Sequence, residues 1–430
     1  MRSGSILAAT IGLVALTGAC TDSRLPTEGP ASRDLTPLAS GSEGRGVFHR
    51  YVAIGTSVSM GVQSDGVFEG SQKTSWPAQL AQLSHRELSL PLIGAPGCGA
   101  PLQAPLATGV RVSGEGAAEP ADRRVCAPLL EGIRLPTGNV AVDGARTRDA
   151  LFSTTATYTG MRGAQYARVL PPGETQVSAM LAQNPKVVSV ELGANEVLGA
   201  RSGIYLPGVN IELVAVWKPL YAQLLDAVES TPKHAVLFGL IDDAMEFPSF
   251  RTGKELWDAR ATFAPFNVVV GGDCETINST NVLFVAVRVP DAAARGAASA
   301  RAGTGPFVLN CFNAPSASGV QDFVLTAGEI ALLNAQIAEM DAFIRSEAER
   351  RGFAYARLGA LYSEVNVKAP FNAITLMTSP QPYGQYVSLD GFHPSAAGAR
   401  VLADAAATAL NARYDLGIPL SAASLIALAP

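Results

Sequence analysis

Charged side chains are scarce in this chain, since Asp, Glu, Lys and Arg together make up 16% of its 430 residues and the net charge is −5. Lys and Arg form no cluster, whereas a nucleic-acid-binding surface needs concentrated positive charge. The sequence therefore argues against nucleic acid as a partner. Histidine is also scarce, and His49, His85 and His234 have no Cys, His or carboxylate at metal-ligand spacing. We expect neither a metal ion nor another cofactor.

Long apolar runs are missing as well, except for residues 6–16, which are too few to span a bilayer. This run follows Arg2 and ends in small residues directly before Cys20, which resembles a bacterial lipoprotein signal. The pattern predicts cleavage before Cys20 and lipidation of that residue. Leu16 lies one position farther from the cysteine than usual, and a plain secretory signal cleaved near Ala19 is the alternative. Both interpretations predict export from the cytoplasm.

Residues 21–47 contain almost no apolar run and carry Pro, Ser, Gly, Thr and scattered charge, so they cannot bury enough surface to fold. We expect residues 1–19 to be a signal peptide and 20–47 a lipidated flexible tether reaching roughly 30 Å. Residues 48–415 are then one domain, and 416–430 a tail. The predicted location is extracytoplasmic, anchored to the outer membrane through the lipid, with a periplasmic or secreted protein as the alternative. The oligomeric state does not follow from the sequence.

Cysteine is limited to five residues, and the four beyond Cys20 form an even number, as expected for disulfides in an exported chain. Three pairings are possible. We favour Cys98–Cys126 and Cys274–Cys311, because each pair then falls within one segment that interrupts the strand–helix pattern. These segments, residues 92–134 and 244–325, are predicted to be insertions stapled by disulfides because they lack cores of their own.

The rest of the chain alternates apolar strand-like runs with helical patterns. Strands are predicted at residues 48–54, 139–142, 186–191, 234–240 and 353–357. Helices are predicted at residues 76–85, 147–152, 174–183, 213–230, 327–351 and 395–414. Five strands separated by helices favour a parallel five-stranded sheet covered on both faces, a three-layer α/β/α architecture. Ligands bind beyond the carboxyl ends of the strands in such sheets.

Four residues suited to acyl-transfer chemistry follow predicted strand ends or precede the last helix: Ser57, Gly144, Asn195 and His393. A serine needs an imidazole to take its proton, and a carboxylate such as Asp390 can orient that imidazole. Taken singly, Ser57 would more often be a helix cap, and the others turn or loop residues. Their placement at one edge of the predicted sheet favours catalysis.

The four short segments that contain these residues, 52–57, 140–144, 188–195 and 390–394, together resemble the motif blocks of the SGNH (GDSL-type) serine hydrolase family, across residues 48–415. The resemblance implies Ser57 as nucleophile, His393 as base and Asp390 as its orienting acid. It also implies an oxyanion hole formed by the amides of Ser57 and Gly144 and the side chain of Asn195. Two residues depart from the family pattern, because Thr56 and Glu196 stand where Asp is usual.

These observations predict a serine ester hydrolase with a flavodoxin-like fold that acts on lipid or short acyl esters through an acyl-enzyme on Ser57. Acyl transfer to an alcohol would use the same residues and is one alternative. A surface lipoprotein that keeps the fold only for binding is another. We further expect the two insertions to form the walls of the substrate cleft.

Overall fold

The computed structural model describes residues 46–117, 124–231, 234–314, 321–364 and 367–421. The predicted signal peptide, Cys20 and nearly all of the predicted tether lie outside these residues, as does most of the predicted tail. Within them the strands are β1 Tyr51–Gly55, β2 Val187–Glu191, β3 His234–Gly239, β4 Phe250–Thr252, β5 Val268–Val270, β6 Val282–Phe284, β7 Phe307–Leu309, β8 Val324–Leu325 and β9 Ala354–Arg357.

The central sheet contains four parallel strands in the order β1-β2-β3-β9. Every residue of β1 and β2 is buried, which is the pattern of strands covered on both faces. The predicted α/β class is therefore confirmed, and the carboxyl ends of the four strands meet at one edge.

The predicted strand at residues 139–142 is the exception, because it forms only an isolated parallel bridge between Asn139 and Ala53. The Val140 amide still donates to the Ala53 carbonyl, and the Val142 amide to the Gly55 carbonyl, so this segment lies alongside β1. The Asn139 side chain accepts from the Ala141 amide at 3.1 Å, a local bond that competes with ladder pairing. The sheet thus has four regular strands instead of five. When residues 139–142 are counted as the second strand in the chain, the five segments lie across the sheet in the flavodoxin-like order 2-1-3-4-5.

The helices lie in two groups on the sheet. Their bounds are α1 Ser57–Met60, α2 Glu69–Lys73, α3 Trp76–Leu83, α4 Thr147–Phe152, α5 Gly163–Val169, α6 Gln176–Ala182, α7 Ala194–Val197, α8 Val214–Glu229, α9 Gly253–Asp258, α10 Val285–Ala302, α11 Ala327–Arg351, α12 Gly359–Tyr362, α13 Ala373–Thr378 and α14 Ala396–Tyr414. Helices α3, α12 and α14 pack together, and α4, α6, α8 and α11 form the second group. Ser395 caps α14 as expected, with its hydroxyl accepting from the Ala397 and Gly398 amides at 3.2 Å.

The second insertion differs from its prediction because it contains most of a second hydrophobic core, to which residues 367–389 also contribute. Val268, Val270, Leu283 and Leu309 are buried there, together with one face of α10, a helix that the sequence analysis did not predict. The run from Val282 forms a strand for three residues and then becomes α10, in which residues 285, 289, 292 and 293 are buried at helical spacing. Small sheets β4-β6-β8 and β5-β7 complete this insertion.

Both predicted disulfides are present, Cys98–Cys126 in the first insertion and Cys274–Cys311 in the second. Structural disulfides persist in oxidising compartments, so the pairing is consistent with an extracytoplasmic location. No helix in the described part of the chain is both long enough and apolar enough to cross a membrane.

Candidate active site

Ser57 is the first residue of the short helix α1, which follows β1 after a tight turn at Thr56. The preceding Gly55 is required by close packing, since a Cβ there would meet the Ser59 hydroxyl at 2.4 Å and the Glu191 carbonyl oxygen at 3.0 Å. Thr56 is the N-cap of α1 and has an extended backbone, so the chain changes direction just before Ser57. The Ser57 residue is 5% exposed, which places its hydroxyl at a largely covered sheet edge.

The side chain of Glu191, the last residue of β2, stabilises this turn by hydrogen bonds. Its carboxylate accepts from the Thr56 amide at 3.0 Å and from the Thr56 hydroxyl at 2.8 Å. It also accepts from the Ser59 amide at 3.2 Å and the Ser59 hydroxyl at 3.0 Å. Burial raises the pKa of Glu191 to about 7, even though these hydrogen bonds act to lower it. The turn is therefore held by the Glu191 carboxylate of the neighbouring strand. Thr56, which stands at this turn where the resembled SGNH motif has Asp, donates to that carboxylate.

The Asp390–His393 pair lies in the loop between α13 and α14. The Asp390 carboxylate bonds to His393 Nδ1 at 2.8 Å, and its other oxygen accepts from the Phe392 and His393 amides at 2.9 Å. Burial opposes both charges, but their mutual attraction prevails and raises the pKa of His393 while lowering that of Asp390. Because Nδ1 is engaged, Nε2 is the ring nitrogen that remains to exchange a proton with a substrate or nucleophile.

A second pair of residues supports Asp390 from behind. The Asp65 amide donates to Asp390 Oδ2 at 2.6 Å, and the Asp65 carboxylate forms an ion pair with Arg111 at 2.7 Å. Arg111 belongs to the first insertion and also donates to the Ala100 carbonyl at 2.8 Å. Since Asp65 and Arg111 are 46 residues apart, no local sequence pattern indicates this contact.

Asn195 and the Gly144 loop are brought together by a direct hydrogen bond. The Asn195 amide donates to the Ala145 carbonyl at 2.9 Å, and Gly144 has φ +71°, a conformation that favours glycine. A Cβ at Gly144 would come within 2.4 Å of the Arg162 guanidinium, which also pairs with Asp143 at 3.4 Å. The backbone conformation thus favours glycine, whereas a side chain at this position would displace the Arg162 guanidinium from Asp143.

Glu196, the second departure from the family pattern, is buried beneath the same loop. Its carboxylate accepts from the Thr147 amide at 2.7 Å, at the first residue of α4. Burial raises the pKa of Glu196, opposed by that hydrogen bond. The side chain therefore fixes the segment that follows Gly144 and does not face the cavity described next.

Ser57, Asn195 and His393 line one cavity that is partly open to solvent. Of the five predicted site residues, the structure thus brings three to one cavity, while Asp390 is joined to it through His393 and the Gly144 loop through Asn195. Among the described residues of the first insertion, 92–117 and 124–134, none lines this cavity. The second insertion contributes Ala244, Phe247 and Phe250, all remote in sequence from its disulfide. The expectation that both insertions form the cleft walls is wrong for the first, which instead supports Asp65.

Sequence reasoning missed one charged lining residue, Arg201, which lies in the turn after α7. Burial lowers the pKa of its guanidinium, and the carboxylates of Asp65, Asp143 and Asp390 oppose that shift. The only sequence signal that could have suggested a role for Arg201 is its position six residues after Asn195. No group of three or more His, Cys, Asp or Glu suited to holding a metal ion occurs in the described ranges.

Comparison with family models finds no match, and neither does comparison with curated protein sequences. Among solved structures, the chain is similar to an acetylxylan esterase from Geobacillus stearothermophilus at 12% identity and a TM-score of 0.35, covering 86% of this chain and 96% of that one. An α/β hydrolase from the metagenome of Lake Arreo, Spain, gives 13% identity and a TM-score of 0.33, covering 85% and 98%. Likenesses of this degree carry no argument about activity, which rests on the geometry of the site.

Proposed function

We propose that the protein is a serine ester hydrolase in which Ser57 is the nucleophile, His393 the general base and Asp390 the residue that orients His393. The observation that carries this proposal is the bond between His393 Nδ1 and Asp390 at 2.8 Å, in a histidine that shares a cavity with Ser57 and Asn195. A binding protein would have no need of an oriented imidazole in the same cavity as a covered serine.

In the first half-reaction His393 Nε2 takes the Ser57 proton while Ser57 Oγ bonds to the ester carbonyl carbon. The negative charge that develops on the carbonyl oxygen is stabilised by amide donors, for which the Ser57 and Gly144 backbones and the Asn195 side chain are candidates. The carbon–oxygen bond to the alcohol then breaks, and His393 returns the proton to the leaving oxygen. The product of this step is an acyl-serine.

In the second half-reaction water replaces the alcohol. His393 takes a proton from the water as its oxygen attacks the acyl carbon, and the bond to Ser57 Oγ breaks with the proton returned to Ser57. The Asp390 carboxylate stays ionised throughout, because the imidazolium beside it stabilises the charge. These steps use only groups of this chain and one water molecule, with a carboxylic acid and an alcohol as products.

The test is the hydrolysis of p-nitrophenyl esters by the wild-type protein and by Ser57→Ala. We expect Ser57→Ala to lose activity by about 10⁶-fold, while the exposed Ser230→Ala keeps it. Circular dichroism should show both variants folded. Full activity in a folded Ser57→Ala protein would overturn the assignment.

We further propose that the protein is exported and held at a membrane through a lipid on Cys20, which lies outside the described residues. The support is the sequence before Cys20 together with the two disulfides. When the gene is expressed in a bacterium supplied with labelled palmitate, wild-type protein should carry the label and Cys20→Ser should not. Equal labelling of the two proteins, or no labelling of either, would reject lipidation of Cys20 and favour a plain secretory signal.

A further inference from the structure

The cavity that contains Ser57 and His393 has a mostly apolar lining. Its polar lining is Thr56, Ser57, Asn195, Arg201, Tyr362 and His393. The remaining lining residues are aliphatic or aromatic. They include leucine, isoleucine, valine and phenylalanine side chains that come from both helix groups and from the second insertion.

The lining residues follow the ends of all four strands of the central sheet. Ser57 and Asn195 come after β1 and β2, whereas Leu240 and Leu358 come after β3 and β9. Neighbouring strands are about 4.8 Å apart, so three spacings extend the cavity roughly 14 Å along the sheet edge. An acetyl group on Ser57 would occupy only the end of this path beside β1.

The walls of the apolar part are formed by buried side chains and packed aromatic rings. Leu333 and Ile337 project from one face of α11, four residues apart, and both are buried although they border the cavity. Phe247 packs against the Phe392 ring with a centroid separation of 4.6 Å and against the Tyr362 ring at 4.7 Å. This aromatic cluster places an apolar wall directly beside His393.

We infer that the apolar part of the cavity is an acyl-chain site that takes the aliphatic chain of a medium- or long-chain carboxylic ester. The inference deepens the proposed function and rests on it for the position of the ester carbonyl. Aliphatic chains gain free energy for each methylene that leaves water, whereas sugar hydroxyls placed against this lining would lose hydrogen bonds. Of the two substrate classes predicted from the sequence, the lining therefore favours lipid esters over short acyl esters of sugars.

The kinetic test uses p-nitrophenyl acetate, butyrate, octanoate and dodecanoate. The value of kcat/KM should rise roughly fourfold for each added methylene up to the length of the cavity. Ile337→Trp fills the apolar part and should lower the ratio of octanoate to acetate activity by at least about tenfold. Leu332→Trp, on the exposed side of the same helix, should leave that ratio unchanged, because Leu332 is 56% exposed and does not line the cavity.

A binding measurement separates this inference from the proposed function. Calorimetry should show dodecanoate binding to the hydrolysis-deficient Ser57→Ala protein and weaker binding when Ile337→Trp is added. If fluorophosphonate labels Ser57 but the chain-length profile is flat and dodecanoate does not bind, the acyl-chain site is rejected while the hydrolase stands. If dodecanoate binds but no ester is hydrolysed and Ser57 is not labelled, the hydrolase is rejected and the acyl-chain site stands. Absence of binding, hydrolysis and labelling together rejects both.

Discussion

Two buried carboxylates lie beneath the site, and their pKa values are shifted in opposite directions. Glu191 supports the Ser57 turn and accepts hydrogen bonds from Thr56 and Ser59, all of them from neutral donors. Asp390 accepts from neutral donors too, but it also faces the His393 ring, which can carry a positive charge. Burial raises the pKa of Glu191 to about 7, whereas the His393 charge overcomes burial and lowers the pKa of Asp390.

Both carboxylates are buried and hydrogen-bonded, but only Asp390 has a partner that can carry a positive charge, and that charge is the main cause that opposes burial. Glu191 holds the backbone of a turn in place. Asp390 faces the imidazole of His393. In the proposed reaction the first carboxylate thus positions the nucleophile and the second positions the base.

The largest effect should separate the base from its orienting acid. We expect His393→Ala to lower kcat by about 10⁶-fold and Asp390→Asn by about 10⁴-fold, because only the first removes the group that accepts the proton. Steady-state kinetics on a p-nitrophenyl ester measures both, with circular dichroism as the control for folding. A folded Asp390→Asn protein less active than His393→Ala would reverse the roles assigned to them.

The next effect concerns stability and tests the Glu191 side of the comparison. With a folded-state pKa raised from 4.5 to about 7, Glu191 keeps its proton in the folded protein over a range in which the unfolded chain has lost it. The wild-type protein should therefore lose about 3 kcal/mol of stability between pH ~4.5 and pH ~7, relative to Glu191→Gln. The glutamine amide imitates the neutral acid, since the Thr56 and Ser59 hydroxyls can accept as well as donate.

Urea unfolding at the two pH values measures this difference, and Glu349→Gln, an exposed acid on α11, is the matched control. The control should follow the wild-type pH dependence. Parallel pH dependence of wild type and Glu191→Gln would mean that Glu191 is ionised throughout, and the contrast with Asp390 would disappear.

The smallest effect concerns the pH dependence of catalysis. Burial opposes the imidazolium, but Asp390, Asp143 and Asp65 together raise the His393 pKa above its usual value of 6.5. The base must be neutral, so kcat/KM should fall as pH decreases through this raised pKa. Asp65→Asn removes one negative charge while keeping the amide bond to Asp390, and should move the acidic limb to lower pH by a fraction of a unit. The shift should be smaller than in Asp390→Asn.

Asp258→Asn is the control for this prediction, since Asp258 is an exposed acid on α9 paired with Lys254. Its acidic limb should coincide with that of the wild-type protein. An unchanged or higher midpoint in Asp65→Asn would show that the Asp65 charge does not act on His393.

The shared location of the proposed reacting residues could be predicted from the sequence because their placement depends on local patterns. Ser57 and Asn195 directly follow the ends of apolar strands, and His393 lies three residues after Asp390, so each was found from short segments. The cysteine pairing was also predicted, since each pair falls within one insertion. Topology then brings these segments to one edge of the sheet.

The supporting residues could not be predicted, because their contacts join distant segments. Glu191 reaches Thr56 across 135 residues, and its only signal was a charged residue in an otherwise buried strand. The contact between Arg111 and Asp65 left no signal. The core of the second insertion was missed because the apolar residues from Val282 form a strand for only three residues and then continue as a helix.

The central claim is that Ser57 is the nucleophile activated by His393, and covalent labelling tests it most directly. The wild-type protein treated with a fluorophosphonate should carry one adduct, located by peptide mass mapping on Ser57. The same treatment of His393→Ala should give much slower labelling, because the serine then lacks its base. An adduct on another serine, or equal labelling of Ser57→Ala, would contradict the account.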